Sequence, residues 1–136
     1  MMRDFLMPAA ITSLSAIAIV TGLIVSGGPA RGRAEMRDTT RVRQISDAAH
    51  HIRCLARQNE NQLPETVAPH SNCPDRDLFT DPFSGGSFTY QVTDSRNFRI
   101  CTTLELPEDQ RRNYLVYGNN RSYDQDSGCF IFDYNP

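Results

Sequence analysis

The chain has 136 residues, of which 39% are apolar, and its 14 basic and 16 acidic residues leave a net charge of −2. So small a net charge, with every basic residue an arginine and no stretch of basic residues interleaved with aromatics, argues against nucleic-acid binding. Removing the first thirty or so residues leaves enough chain for one small domain and not for two.

Phe5 to Val25 is a run of 21 residues without a charge, the length a helix needs to cross a bilayer. Thr12, Ser13, Ser15 and Thr21 dilute it, but hydroxyls in a helix can bond back to its own carbonyls. A cleaved signal peptide is the competing reading. Its apolar core is shorter, and its basic start is stronger than Arg3 offset by Asp4. Residues 1–4 are therefore read as a flank, 5–26 as a retained transmembrane anchor and 27–34 as a linker, broken at Gly27-Gly28-Pro29 and loosened by Gly32.

Residues 35–136 read as the soluble domain. A helix is expected from about Ala34 to Glu60, because Val42, Ile45, Ala49, Ile52 and Ala56 recur at three- and four-residue steps. Leu55 widens this stripe, and Cys54 falls on the opposite face, one turn after His50. Pro64, Pro69 and Pro74 mark 61–80 as irregular, and Asp81-Pro82-Phe83-Ser84-Gly85-Gly86 is a strong turn. Alternation then predicts strands at Phe88–Val92 and Phe98–Leu104. A third strand is expected at Tyr114–Tyr117, followed by a polar loop over Gly118–Gly128. The last strand has Phe130, Phe132 and Tyr134 on one side. The fold class is α+β: a transmembrane helix, then an amphipathic helix packed on a small antiparallel sheet.

Charge is unevenly spread. From Arg31 to Arg57 seven arginines face three acids, and from Asn61 onward six face eleven. This suggests a basic stalk near anionic lipid headgroups and an acidic domain beyond it. Four cysteines, Cys54, Cys73, Cys101 and Cys129, are the even number of a disulfide framework in an oxidising compartment. The most local of the three pairings is Cys54–Cys73 with Cys101–Cys129. The arginines that follow the span oppose this compartment, since the positive-inside rule would leave the domain in the cytoplasm. The cysteines are given precedence.

The order of elements resembles the type IV pilins and type II secretion pseudopilins. So do Leu63-Pro64 after the helix and Asp81-Pro82 with Gly85-Gly86 and Phe88-x-Tyr90 entering the sheet, while Phe98-x-Ile100-Cys101 and Gly128-Cys129-Phe130 look like a pattern of small membrane-anchored bacterial proteins with pilin-like domains. The resemblance implies a pilin-like domain on the periplasmic side of a bacterial inner membrane, held by a single-pass anchor. It departs at the N-terminus: the processing site and the Glu within the span are missing, because no acid lies between Asp4 and Glu35. Maturation and filament packing therefore do not carry over with the fold.

Two metal constellations compete with the disulfides. His50-x-x-x-Cys54 and His70-x-x-Cys73 have spacings that would suit zinc in a cytoplasmic-facing domain. Asn119, Asn120, Asp124 and Asp126 offer oxygen ligands in a loop where major pseudopilins bind calcium, although a solvated turn explains them as well. No hydrolase elbow, phosphate-binding glycine loop, zinc-protease helix or haem-attachment motif is present. The expectation is a non-enzymatic accessory or structural subunit of a larger membrane complex. It would have no cofactor and no evident small-molecule substrate, and its partners would be membrane lipid and other subunits. The alternatives are a minor pseudopilin and a zinc-binding cytoplasmic-facing domain.

Overall fold

The structure, a computed structural model, describes residues 2–25, 27–73, 77–111 and 121–136. It divides into two compact units, Met1–Ala34 and Glu35–Pro136.

The first unit holds helix α1 (Met2–Val25). From Pro8 to Val25 its side chains are exposed: Ile11, Leu14, Ile17, Ile24 and Val25 are between 64% and 78% exposed. Three hydroxyls along it are satisfied within the helix. Thr12 Oγ1 donates to the carbonyl of Pro8, Ser13 Oγ to Ala9 and Thr21 Oγ1 to Ile17, at 3.0, 2.8 and 2.8 Å. An apolar helix that satisfies its own backbone and hydroxyls and leaves its apolar surface uncovered is long and apolar enough to cross a membrane.

Gly27 and Gly28 have φ of +77° and +66°, a region that glycine enters without the Cβ clash other residues meet. They separate α1 from helix α2 (Gly28–Gln58). The loose linker expected over 27–34 is therefore corrected: all but its first residue are helical. Pro29 suits the first turn, where its missing N–H would have no partner anyway. Ala30, Arg31, Arg33 and Ala34 are good helix formers and outweigh Gly32, whose penalty is about 1 kcal/mol.

In the second unit α2 ends at Gln58, and the chain turns through Glu60 and Asn61, both at positive φ. Among the described residues four strands follow: β1 (Thr89–Val92), β2 (Asn97–Cys101), β3 (Arg121–Asp124) and β4 (Cys129–Asp133). They form one antiparallel sheet in the order β1-β2-β4-β3. Register places Phe98 opposite Phe132 and Ile100 opposite Phe130. This puts the large side chains on one face, and all four are buried. The alternate residues Gln91, Arg99 and Ile131 look outward. The helical stripe of Val42, Ile45, Ala48, Ala49, Ile52, Leu55 and Ala56 is equally buried and makes the other half of the core. Arg53 bridges the layers, donating to the carbonyl of Asp133 while its guanidinium lies over the ring of Phe132.

The α+β architecture is as the alternation predicts, with two local corrections. The strand expected to reach Leu104 stops at Cys101, because the amides of Glu105 and Leu106 bond a helix carboxylate instead of a neighbouring strand. The polar loop expected over Gly118–Gly128 contains β3, an edge strand whose Arg121-Ser122-Tyr123-Asp124 has only one apolar residue. An edge strand buries little, so it needs no apolar alternation and gives no sequence signal. The strand expected at Tyr114–Tyr117 lies outside the described residues.

Candidate functional site

The most elaborate polar arrangement of the domain lies where α2 meets the loops at one end of the sheet. Asp38 and Arg41 occupy positions that continue the apolar stripe of α2 towards its start, seven and four residues before Ile45, so the helix turns them inward. Asp38 is fully buried and Arg41 is 4% exposed. Arg41 serves three carboxylates. Its Nη1 donates to Asp38 Oδ1 at 2.9 Å and Glu105 Oε1 at 2.8 Å, and its Nε donates to Asp81 Oδ2 at 3.0 Å. Asp38 also accepts the amides of Glu105 and Leu106 at 2.8–3.0 Å. Asp81 accepts Ser84 Oγ and the amide of Phe83, which closes the 81–86 turn and brings the Phe83 ring over the Arg41 guanidinium. Arg37, one turn earlier and more exposed, holds Glu105 from outside with Nε at 2.9 and 3.0 Å from its two oxygens. One buried guanidinium thus joins the helix, the turn and the strand exit.

This neutralises part of the charge polarity expected from the sequence, leaving Arg31 and Arg33 of the stalk outside the cluster. Arg37 and Arg41 of the basic stretch meet Asp81 and Glu105 of the acidic one. Charges separated along the chain neutralise one another in the fold, since a buried ion is tolerated only when paired.

The same contacts set the titration. Hydrogen bonds from Arg37 and then Arg41 hold the Glu105 carboxyl down to about 2. Burial pushes the Asp81 carboxyl up, but Ser84, the Phe83 amide and Arg41 together keep it below the usual carboxylate range. Neither is poised to act as a base near neutral pH; both are held as permanent anions. Because their folded-state pKa values lie below the unfolded ones, the unfolded chain takes up protons first as pH falls. The clamp's contribution to stability is expected to be constant from neutrality to about pH 5 and then to be lost steadily down to about pH 2. Urea midpoints measured across that range check this. A midpoint that held constant to pH 3 would contradict the carboxylate clamp.

The four cysteines form two disulfides, Cys54–Cys73 and Cys101–Cys129. The first ties the last turns of α2 to the loop returning from it. The second joins directly opposed residues of β2 and β4. The proposed zinc set is thereby divided, because Cys54 and Cys73 spend their sulfurs on each other. His50 is exposed on α2, and the His70 ring accepts the Asn72 amide at 3.3 Å. Of the calcium set, Asn119 and Asn120 lie outside the described residues. Asp124 closes the β3–β4 turn, accepting Ser127 Oγ and the amide of Asp126. Among the described residues no three His, Cys, Asp or Glu are grouped to hold a metal ion.

A groove of about 700 Å³ opens beside the buried cluster, bordered by Arg41, Asp81 and Glu105 and also by Arg111, Tyr123 and Gly128. Arg111 is spoken for: it donates to the carbonyls of Leu104 and Leu106 and to the Tyr123 hydroxyl. Arg41, Asp81 and Glu105 are joined by ion pairs, while Asp126 and Ser127 also line the groove.

Sequence reasoning missed the Asp38–Arg41–Asp81–Glu105 cluster, although a signal for half of it exists. Two charged residues in phase with an apolar helical stripe must be buried, and buried charges need partners. Their partners, 40 to 67 residues away, could not be read from spacing. Comparison with protein families, curated proteins and solved structures finds no significant match to this chain.

Proposed function

We propose that this chain is a single-pass protein of a bacterial inner membrane, with α1 as its anchor and the 35–136 domain on the periplasmic side. There it serves as an accessory, structural subunit of a larger membrane complex. The observation that carries the reading is a pairing of features: a helix with its apolar surface uncovered, and a small domain whose cysteines are closed into two disulfides. Disulfides of this kind persist in oxidising compartments, and an uncovered apolar helix is stable in lipid. The helix-on-antiparallel-sheet layout supports a pilin-like domain. Its polar groups are spent on mutual bonds that hold the fold, which supports a docking role over catalysis.

The test is the intact mass of membrane-extracted protein alkylated without reductant, together with an alkaline-phosphatase fusion at the C-terminus. Unlabelled cysteines, an uncleaved N-terminus and an active fusion are the expected results. Crosslinking in membranes should then capture the chain in a species much larger than 15.3 kDa. Four labelled cysteines with an inactive fusion would place the domain in the cytoplasm and overturn the reading. A shortened N-terminus would replace it with the processed pseudopilin.

A further inference from the structure

The arginines that follow α1 fall into two groups. Arg37 and Arg41 are saturated by carboxylates. Arg31 and Arg33 are exposed, and among the described residues no hydrogen bond or ion pair holds either guanidinium. Both belong to the first unit, six and eight residues beyond Val25, where the apolar helix ends. So few residues separate them from that end that their long side chains stay within reach of the interface. Arg31 reaches back further. Its stem lies against Gly27, where its Cβ and Nη1 would each be 3.3 Å from a Cβ added to that glycine. The positive φ and bare Cα of Gly27 leave the space that the Arg31 stem occupies.

We infer that Arg31, with Arg33 beside it, binds the phosphate of an anionic phospholipid headgroup at the surface from which α1 emerges. The inference rests on α1 being a membrane anchor. An apolar stem laid back along the chain with its charge at the interface is how arginine sits at a membrane boundary. The planar guanidinium pairs bidentately with phosphate. Arg43 is also exposed, but it belongs to the second unit and lies ten residues further along the chain than Arg33.

The test uses the full chain with its disulfides intact, incorporated into vesicles of phosphatidylcholine carrying a minor fraction of phosphatidylglycerol. The protein is then extracted with its retained lipids, and these are counted by native mass spectrometry. Phosphatidylglycerol should exceed its bulk share by roughly fivefold for each participating arginine, the usual strength of one basic residue at an anionic surface. The Arg31→Gln, Arg33→Gln variant should return the ratio to the bulk value, and Arg43→Gln should leave the enrichment in place. Unlabelled cysteines in each variant certify the fold. No enrichment in the wild type, or equal loss with Arg43→Gln, overturns the inference. Flotation with pure phosphatidylcholine vesicles separates the two readings. A chain that floats without enrichment retains its anchor and refutes only the headgroup contact. A chain that does not float refutes the anchor and the headgroup contact together.

Discussion

Arg41→Ala should destabilise the domain by about 3–5 kcal/mol, the loss measured when one partner of a buried ion pair is removed. Its neighbour Arg37→Ala should cost far less, as the loss of an exposed ion pair does. Both residues are arginines of one helix, both bond Glu105, and they stand four positions apart. Burial makes the difference. Removing Arg41 takes the guanidinium from the fully buried Asp38 and leaves Asp81 with one bond fewer. Removing Arg37 leaves Glu105 with Arg41 and with water, because about a third of its side chain is exposed. A domain of this size holds about 5–15 kcal/mol in total, so Arg41→Ala takes it close to unfolding. Arg41→Lys keeps the charge but loses the planar fork that reaches three carboxylates from two directions, and should fall between the two alanine variants. Urea titration of the full chain in detergent, followed by near-ultraviolet circular dichroism, provides the comparison. Equal midpoint shifts for Arg37→Ala and Arg41→Ala would mean that the cluster is not a buried clamp.

Removing either disulfide is the second large effect. The bridges close loops with sequence separations of 19 and 28, and chain entropy assigns each about 3–3.5 kcal/mol through the unfolded state. For a domain of about a hundred residues, each Cys→Ser pair should lower the melting temperature by roughly 12–20 °C. Both pairs together should leave little folded protein at growth temperature. The two losses differ in what they release. Without Cys54–Cys73, the segment after α2 keeps few ties, chiefly Tyr90 donating to the Pro64 carbonyl and Tyr134 donating to Asn61. Limited proteolysis should therefore cut between Asn61 and Cys73 first. Without Cys101–Cys129, the flanking ladder from Asn97–Asp133 to Ile100–Phe130 still fixes the register of β2 and β4. The sheet should survive with its hydrogen-exchange pattern intact until it melts globally. Calorimetry on the two double variants, with proteolysis in parallel, tests both statements. Identical cleavage patterns would refute the division of labour.

What the sequence by itself determined was everything governed by local period and composition. Twenty-one uncharged residues specify a helix with no need of a core. Val42 to Ala56 at helical spacing specify which face of α2 is buried. Phe98-x-Ile100 and Phe130-x-Phe132 specify the inner face of the sheet. These follow from hydrophobic patterning, which is written in neighbours three, four or two residues apart. Tertiary structure alone decided what depends on residues brought together from far along the chain. It joined Asp38 and Arg41 to Asp81 and Glu105 and so took part of a charge asymmetry off the surface and into the core. It made a strand of Arg121–Asp124 by lending it β4 as a template, where its own residues carry almost no strand signal. It extended α2 back to Gly28, because one glycine in a run of good helix formers is too small a penalty to stop a helix already begun. A buried charge must find its counter-ion wherever the fold provides one, and the spacing of residues along a chain does not encode that distance.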